Sequence, residues 1–546
     1  MQMRSRLILA LLVFIITTGF YFFWPQYFYV GDDLQAAMAI EQGVTGHYYY
    51  HPAGGRLYDP SQPTYDPDKT IELNTRYYLE YPISVLVGRI WHALGWNGDV
   101  ITPILTFRAL VGGLGALFLY LAICETGSDS RVAALISLGF GFSAAYWSYS
   151  TRIYQSINMI SALALGFYLL LRLGKSSSGI GWRGKTALAI VLWIASLTNI
   201  TAILSFFPFG VAIALVHPDK KITAKIGEFV RFSVVSGIIG VLIIVFIITN
   251  SAAPRSVNPL VWQDAPVAGD SVFGVSPLRD TFRTILGFAR SIVVLPNGPN
   301  SLSSVQMYWD SIDTGERIWL LAFYSVVLSL CAIPVVVMLF RWRRMQNYWL
   351  WITLAIWFVT YTVFNWFWDP GSVKYWLIPL MCWWVVLALT LNHLKDTRWH
   401  LISLNISVVF VIFVFAINFS FQFLPESRRD NDPLLADAEI FKAVSNSNDL
   451  LVTDRTDLSF YISYFSDRNV ISVSLIIEAS GSVDAAQAIV KDHLERHQSD
   501  GGQIYVHASS SANLPLLAQV VGVTNEKQLE VTRQSPGLTI YRAIYQ

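Results

Sequence analysis

Charge is scarce in this sequence: 14% of its 546 residues are Asp, Glu, Lys or Arg, and the formal sum is +1. So small a net charge offers no basic field to a nucleic-acid partner. Cysteine is scarcer still. Cys124, Cys331 and Cys382 all fall inside apolar runs, at spacings that suit neither disulfides nor a metal cluster, and they read as buried thiols. Internal repeats and low-complexity tracts are absent, and the apolar runs are almost free of acids. Ion-coupled transporters hold acids near the bilayer midplane and often show paired repeats, so a transporter or flippase is the weaker reading.

What is present is apolar: 54% of the residues are hydrophobic and 19 are Trp, which marks a polytopic membrane protein. The first apolar run, Leu7–Trp24, follows Arg4 and Arg6. It ends in aromatics without a small-residue cleavage site, so it reads as an uncleaved first span. Further runs of near-spanning length occupy 103–124, 132–149, 157–173, 186–197, 201–216, 232–249, 318–340, 348–364, 375–391 and 401–421, about 11 spans in all. The run 186–197 is short for a crossing at about 1.5 Å per residue. The segment Ile83–Leu94, with Arg89 and His92, reads as an interfacial or re-entrant helix.

Counting forward from a cytoplasmic N-terminus puts the clusters Arg172/Lys175/Arg183/Lys185, Lys220/Lys221/Lys225/Arg231, Arg341/Arg343/Arg344 and Lys395/Arg398 inside, as the positive-inside rule requires. The same count places the loops 25–102 and 250–317, two short turns and the polar region 422–546 outside. The expected organisation is thus a transmembrane domain, 1–421, with two large extracytoplasmic loops, followed by an extracytoplasmic α/β domain, 422–546. In the latter, 450–454, 470–473, 503–507 and 538–545 read as strands, and 483–496 and 513–521 as helices. The stretch Pro425–Pro433 reads as a linker.

All the chemically suggestive residues fall on the outside. Asp32 and Asp33 stand at the start of a helix-forming segment just beyond the first span. One acid suffices to cap a helix, so the second invites a role as general base. Arg152, in the turn Ser150–Asn158, and Lys374, in the turn Trp366–Trp376, are interfacial anchors or ligands of a phosphate oxygen. Tyr154 lies beside Arg152. Arg279, Arg283 and Arg290 fall within about 40° of one another on a helix, with Ile285, Phe288 and Ile292 opposite, a pattern that fits an amphipathic helix meeting anionic lipid. A cationic set facing an acid at the outer surface suits attack by an acceptor hydroxyl on a sugar whose leaving group is a lipid-linked phosphate.

At these residues the chain resembles a known family. The acidic pair after the first span, Glu80-Tyr81-Pro82-Ile83-Ser84, Phe107-Arg108-Ala109-Leu110, the run Phe142–Ser148 before Arg152, and Lys374–Pro379 look like GT-C superfamily glycosyltransferases. Within that superfamily the chain is similar to the protein O-mannosyltransferase and lipid A aminoarabinose transferase group. The resemblance implies a membrane-embedded hexosyl- or pentosyltransferase with a polyprenyl-phosphate sugar donor and a lipid, protein or polysaccharide acceptor. By the same resemblance Asp32 matches the family's catalytic Asp, the general base. Asp33 stands where the family has Glu, and Gln155 or Ser156 where an Asp often follows the Arg, so a divalent metal is left open. A polymerase or ligase using a lipid-diphosphate donor is the nearest rival activity.

Overall fold

The computed structural model describes residues 2–29, 33–34, 36–37, 40, 47–48, 71–72, 79–153, 156–175, 180–217, 221–250, 277–294, 313–341, 348–369, 371–395, 397–466, 468–480, 482–499, 501–523, 529–535 and 538–544. Two compact units emerge: one holds Met1–Gln26, Asn74–Ala252 and Asn258–Ser427, the other Tyr27–Leu73, Ala253–Val257 and Arg428–Gln546.

The first unit is helical. In chain order it contains α1 (Gln2–Phe23), α2 (Glu80–Ala93), α3 (Ile101–Glu125), α4 (Ser130–Gly141), α5 (Ala144–Ser150), α6 (Ser156–Gly174), α7 (Trp182–Thr198), α8 (Phe206–Leu215), α9 (Ile222–Asn250), α10 (Pro277–Ile292), α11 (Thr314–Arg341), α12 (Tyr348–Trp368), α13 (Leu377–His393) and α14 (His400–Asn418). Among the described residues, eight helices are long and apolar enough to cross a membrane: α1, α3, α6, α9, α11, α12, α13 with the turn before it, and α14 with the turn after it. The expected count of about 11 is not reached on this criterion. The run 132–149 is broken: α4 and α5 meet at a 70° bend, and the pair makes a ninth span if taken as one. The run 201–216 starts as a 3-10 helix, Ile200–Ser205, and 186–197 belongs to a helix of 17 residues.

The exposed side of α1 carries Leu7, Ile8, Leu11, Leu12 and Ile15, and that of α9 carries Val234, Ile238, Val241 and Leu242. Such apolar faces suit contact with lipid tails, where backbone polar groups are satisfied inside each helix. The centre of the unit is α3, packed between α1 and α6. A Cβ at Gly113 would strike Thr18 of α1, and one at Gly115 would strike Tyr146 and Ser161. Small residues here let the helices approach closely.

The bend between α4 and α5 is held by tertiary partners. Ser143 caps α5 with extended backbone; its hydroxyl donates to Gly139 O (2.9 Å) and accepts from the Trp384 indole (3.0 Å). The buried Asn418 amide donates to Phe142 O (2.8 Å) and Ile292 O (2.9 Å), and its oxygen accepts from Val294 N (2.9 Å). One side chain therefore ties the break to the end of α10.

The second unit contains a short pair, β1 (His47–Tyr48) and β2 (Ile71–Glu72), and a five-stranded sheet in the order β4 (Asn469–Ser472), β3 (Leu450–Thr453), β5 (Ile504–His507), β7 (Leu538–Ala543), β6 (Leu529–Ser535). β3, β4 and β5 are parallel; β7 and β6 add on antiparallel. Leu450, Val452, Ile471, Ile504 and Val506 form a core with Val490, Leu494 and Leu517. The four strands expected from the sequence are present, as are both helices, at Val483–Ser499 and Leu514–Val520.

Candidate functional site

α5 is buried along its whole length, and the turn after it carries Arg152, itself buried. Arg152 Nε donates to Gln26 Oε1 (2.6 Å), which also accepts from Ser148 Oγ (3.0 Å). Arg152 Nη2 lies 3.7 Å from Glu426 Oε2. The backbone reinforces this, because Gln26 N donates to Thr151 O (3.2 Å).

α10 packs against α5 and against the 3-10 turn Val373–Trp376, and that turn also packs against α5. Three elements that bear or adjoin Arg290, Lys374 and Arg152 are thereby mutual neighbours. Lys374 is partly buried, with Nζ 4.8 Å from the centre of the Tyr375 ring. Its turn is fixed by Asn365 Nδ2 donating to Tyr375 O (3.1 Å) and by the Trp368 indole donating to Tyr375 Oη (2.9 Å). Arg290 is buried, and among the described residues its Nη1 has no hydrogen-bond partner. Burial pulls its guanidinium below the usual range, opposed by Tyr324, Tyr149 and Asp369 around it.

The arginine stripe of α10 is thus divided. Arg279 Nε lies 3.4 Å and Arg283 Nη1 3.9 Å from Asp280 Oδ1 at the outer end, while Arg290 enters the bundle. Of the residues placed opposite, Phe288 and Ile292 are buried but Ile285 is exposed, together with Leu278 and Phe282.

A second buried charge cluster touches the same turn through Ile153. Arg108 forms an ion pair with Glu80 Oε1, and its Nη2 also donates to Ser84 Oγ (3.2 Å) and Ile153 O (3.2 Å). Asn158 Nδ2 donates to Glu80 Oε2 (2.8 Å). Burial pushes the Glu80 carboxyl up, against the pull of Arg108. Through Ile153 the pair fixes the turn that presents Arg152.

Asp33 belongs to the second unit and is fully buried; it shares helical backbone with Leu34, Ala36, Ala37 and Ile40, which are buried too. The stem leading to it is held in that unit: the Tyr461 hydroxyl accepts from Tyr29 N (2.7 Å) and donates to Tyr29 O (3.1 Å). Asp32 and Tyr154 lie outside the described residues. Among the described residues no three His, Cys, Asp or Glu side chains gather as ligands of a metal ion, and the three cysteines are buried free thiols.

Glu80 and Arg108 enter the sequence reading only through the family resemblance; Gln26, Gln422 and Glu426 do not enter it as site residues. Arg108 had a signal of its own, being the one charged residue between Ile101 and Cys124.

A broken span, an amphipathic helix and an α/β unit accompany the spanning helices of an integral membrane protein. The particular fold is that of ArnT. The crystal structure of ArnT from Cupriavidus metallidurans in the apo state matches with a TM-score of 0.53 at 12% identity, over 99% of this chain and 97% of that one. ArnT bound to undecaprenyl phosphate matches with a TM-score of 0.57 at 11% identity, over the same shares. The S. cerevisiae protein O-mannosyltransferase Pmt1-Pmt2 complex bound to the sugar donor is similar over 44% of this chain and 33% of that chain, at 13% identity and a TM-score of 0.33. No protein-family model and no curated protein sequence matches the chain.

Proposed function

We propose that this chain is an integral membrane glycosyltransferase that moves a hexosyl or pentosyl unit from a polyprenyl-phosphate-linked donor to an acceptor hydroxyl on the extracytoplasmic face, with its N-terminus cytoplasmic. The observation that carries this reading is the buried, incompletely partnered Arg290 on a helix packed against the elements of Arg152 and Lys374. A desolvated cation of this kind calls for an anion. The shared fold with ArnT, solved with undecaprenyl phosphate, supports a lipid phosphate as that anion.

In this mechanism Asp32 takes the proton of the acceptor hydroxyl as its oxygen attacks the anomeric carbon. The bond from that carbon to the phosphate oxygen breaks, and negative charge collects on the departing lipid phosphate. Arg152, Lys374 and Arg290 stabilise that charge, most strongly where water is excluded. Asp33 orients Asp32 or the acceptor, and Tyr154 contacts phosphate or sugar. The test is sugar transfer by purified protein in lipid nanodiscs from a radiolabelled polyprenyl-phosphate donor. Asp32→Asn is expected to fold normally and to lose activity by about 10²- to 10⁴-fold; full turnover by this variant would sink the assignment of the base.

A further inference from the structure

An open sheet with parallel strands takes a ligand outside the carboxyl ends of those strands, at the point where the strand order reverses. In the C-terminal unit that point lies between β3 and β5, because β4 lies on one side of β3 and β5 on the other. The unit's own side chains bridge it. Asp454, directly after β3, accepts from Ser509 N (2.8 Å), Ser509 Oγ (2.6 Å) and Asn513 Nδ2 (2.6 Å). The contacts of this unit point instead to the stem that follows the first span.

A widened turn holds that stem. The helix Thr456–Tyr461 continues as a π turn, Ile462–Ser466, a rare conformation that is frequent at functional sites. The rings of Tyr461 and Phe465 have centroids 5.6 Å apart, and Tyr29 packs on both, 6.4 Å from Tyr461 and stacked 6.1 Å from Phe465. The turn is itself anchored to the helix Pro433–Val444: Ser466 Oγ donates to Ala438 O (2.7 Å) and Lys442 Nζ to Phe465 O (3.2 Å). The buried Tyr461 hydroxyl takes the Tyr29 N–H at 2.7 Å. This bond stands whichever acceptor receives the hydroxyl's own proton, Tyr29 O at 3.1 Å or the neighbouring Asp432 carboxylate. Tyr29 is buried, and so are Asp33, Leu34, Ala36 and Ala37. In sequence, Asp32 stands between these two anchored points.

We propose that the C-terminal α/β unit positions the acidic segment for sugar transfer, with Tyr461 as the positioning residue: its hydroxyl fixes Tyr29 and thereby the reach of the Asp32 carboxylate three residues on. This rests on the transferase reading above, in which Asp32 is the base, and gives the α/β unit a task in that reaction. A reacting group displaced by about 1 Å can lose about 10²-fold in rate. A loosened stem therefore slows the chemical step and leaves the phosphate ligands of the helical unit untouched.

The experiment uses the full-length protein in nanodiscs. Tyr461→Phe removes the hydroxyl and keeps the ring. Hydrogen exchange at the Tyr29 amide is expected to quicken about tenfold, with the β3 and β5 amides as slow as in wild type. In transfer from a polyprenyl-phosphate sugar donor, kcat is expected to fall about tenfold or more, with the donor KM and the affinity for bare polyprenyl phosphate unchanged. Combined with Asp32→Asn, the same change is expected to cost little further, because the base it positions is gone. If Tyr461→Phe folds poorly, Phe465→Leu, which removes the ring stacked on Tyr29 and keeps the hydroxyl, is expected to give the same split. An unaltered exchange rate at Tyr29, an unaltered kcat, a parallel loss of donor affinity, or an equal penalty in the Asp32→Asn background would each overturn the positioning role and leave the transferase reading standing. That reading fails, and the proposal with it, if wild type transfers from no such donor or if Asp32→Asn keeps full turnover.

Discussion

Arg108 is a guanidinium within an apolar helix, 1% exposed, and its burial is offset by Glu80, Ser84 and Ile153 O around it, with Asn158 holding the other oxygen of Glu80. Removing one partner of such a pair strands the other charge at a cost of about 3–5 kcal/mol, whereas replacing both with apolar groups costs much less. Glu80→Ala should therefore lower the thermal unfolding temperature markedly in detergent, and the double change Glu80→Leu with Arg108→Met should recover most of the loss. Strictly additive losses would show that the two do not act as a unit. The reverse sign is expected at Arg290, which forms no ion pair of this kind among the described residues. Arg290→Ala should leave the protein as stable as wild type or more so, while weakening polyprenyl-phosphate binding about tenfold or more in an equilibrium titration. Unchanged binding would remove Arg290 from the phosphate site. These two arginines also show where sequence reasoning stops. The oddity of Arg108 is visible in its apolar run, but its partner is 28 residues away on another helix. Periodicity assigns Arg290 to one face with Arg279 and Arg283, because a helical period fixes angle and says nothing of how deep each turn sits.

Whole elements were legible where length and polarity alone define them. The eight spanning helices fall on apolar runs read from the sequence, and the short helix Glu80–Ala93 falls on the segment read as interfacial. The break between α4 and α5 was hidden, because residues 132–149 contain neither a charge nor a proline and the bend comes from Ser143, Trp384 and Asn418 acting across the bundle. Asn418 is central to this. Its amide satisfies two buried carbonyls and a backbone N–H on two separate segments, and each buried group left unpaired costs about 1–3 kcal/mol. Asn418→Leu is expected to destabilise the protein by several such units in a chemical melt. It should also speed hydrogen exchange at Val294, whose N–H it bonds, and weaken donor binding through the displaced end of α10. Exchange at Val294 as slow as in wild type would show that the tie is dispensable.

At the scale of the molecule, Tyr27–Leu73, the larger part of the first loop read as extracytoplasmic, shares a unit with the C-terminal sheet of Arg428–Gln546. Its parallel strands were legible as short apolar runs. β6 was not, because Leu529–Ser535 is a polar edge strand with an irregular register. The helix Pro433–Val444 starts where the linker reading Pro425–Pro433 ends and has no element in the sequence reading, although Asp432 accepts from Leu434 N (3.0 Å) as its cap and Pro433 opens it. That helix carries a pH response. Burial pushes the Asp437 carboxyl up to about 6, against the pull of Arg455, whose Nη1 lies 3.4 Å from Asp437 Oδ2; nearby Asp432 adds to the rise. The folded pKa exceeds the unfolded one, so the folded unit binds the proton more tightly. The stabilisation is complete below the unfolded value of 3.8, declines as the pH rises through about 6, and is absent above. Asp437→Asn removes the titration. Relative to wild type, the variant should gain roughly 1–2 kcal/mol between pH 4 and pH 7. The measurement is hydrogen exchange at the β3 and β5 amides of the full-length protein in nanodiscs. A difference between the two proteins that stays constant over that range would mean that Asp437 does not titrate with folding.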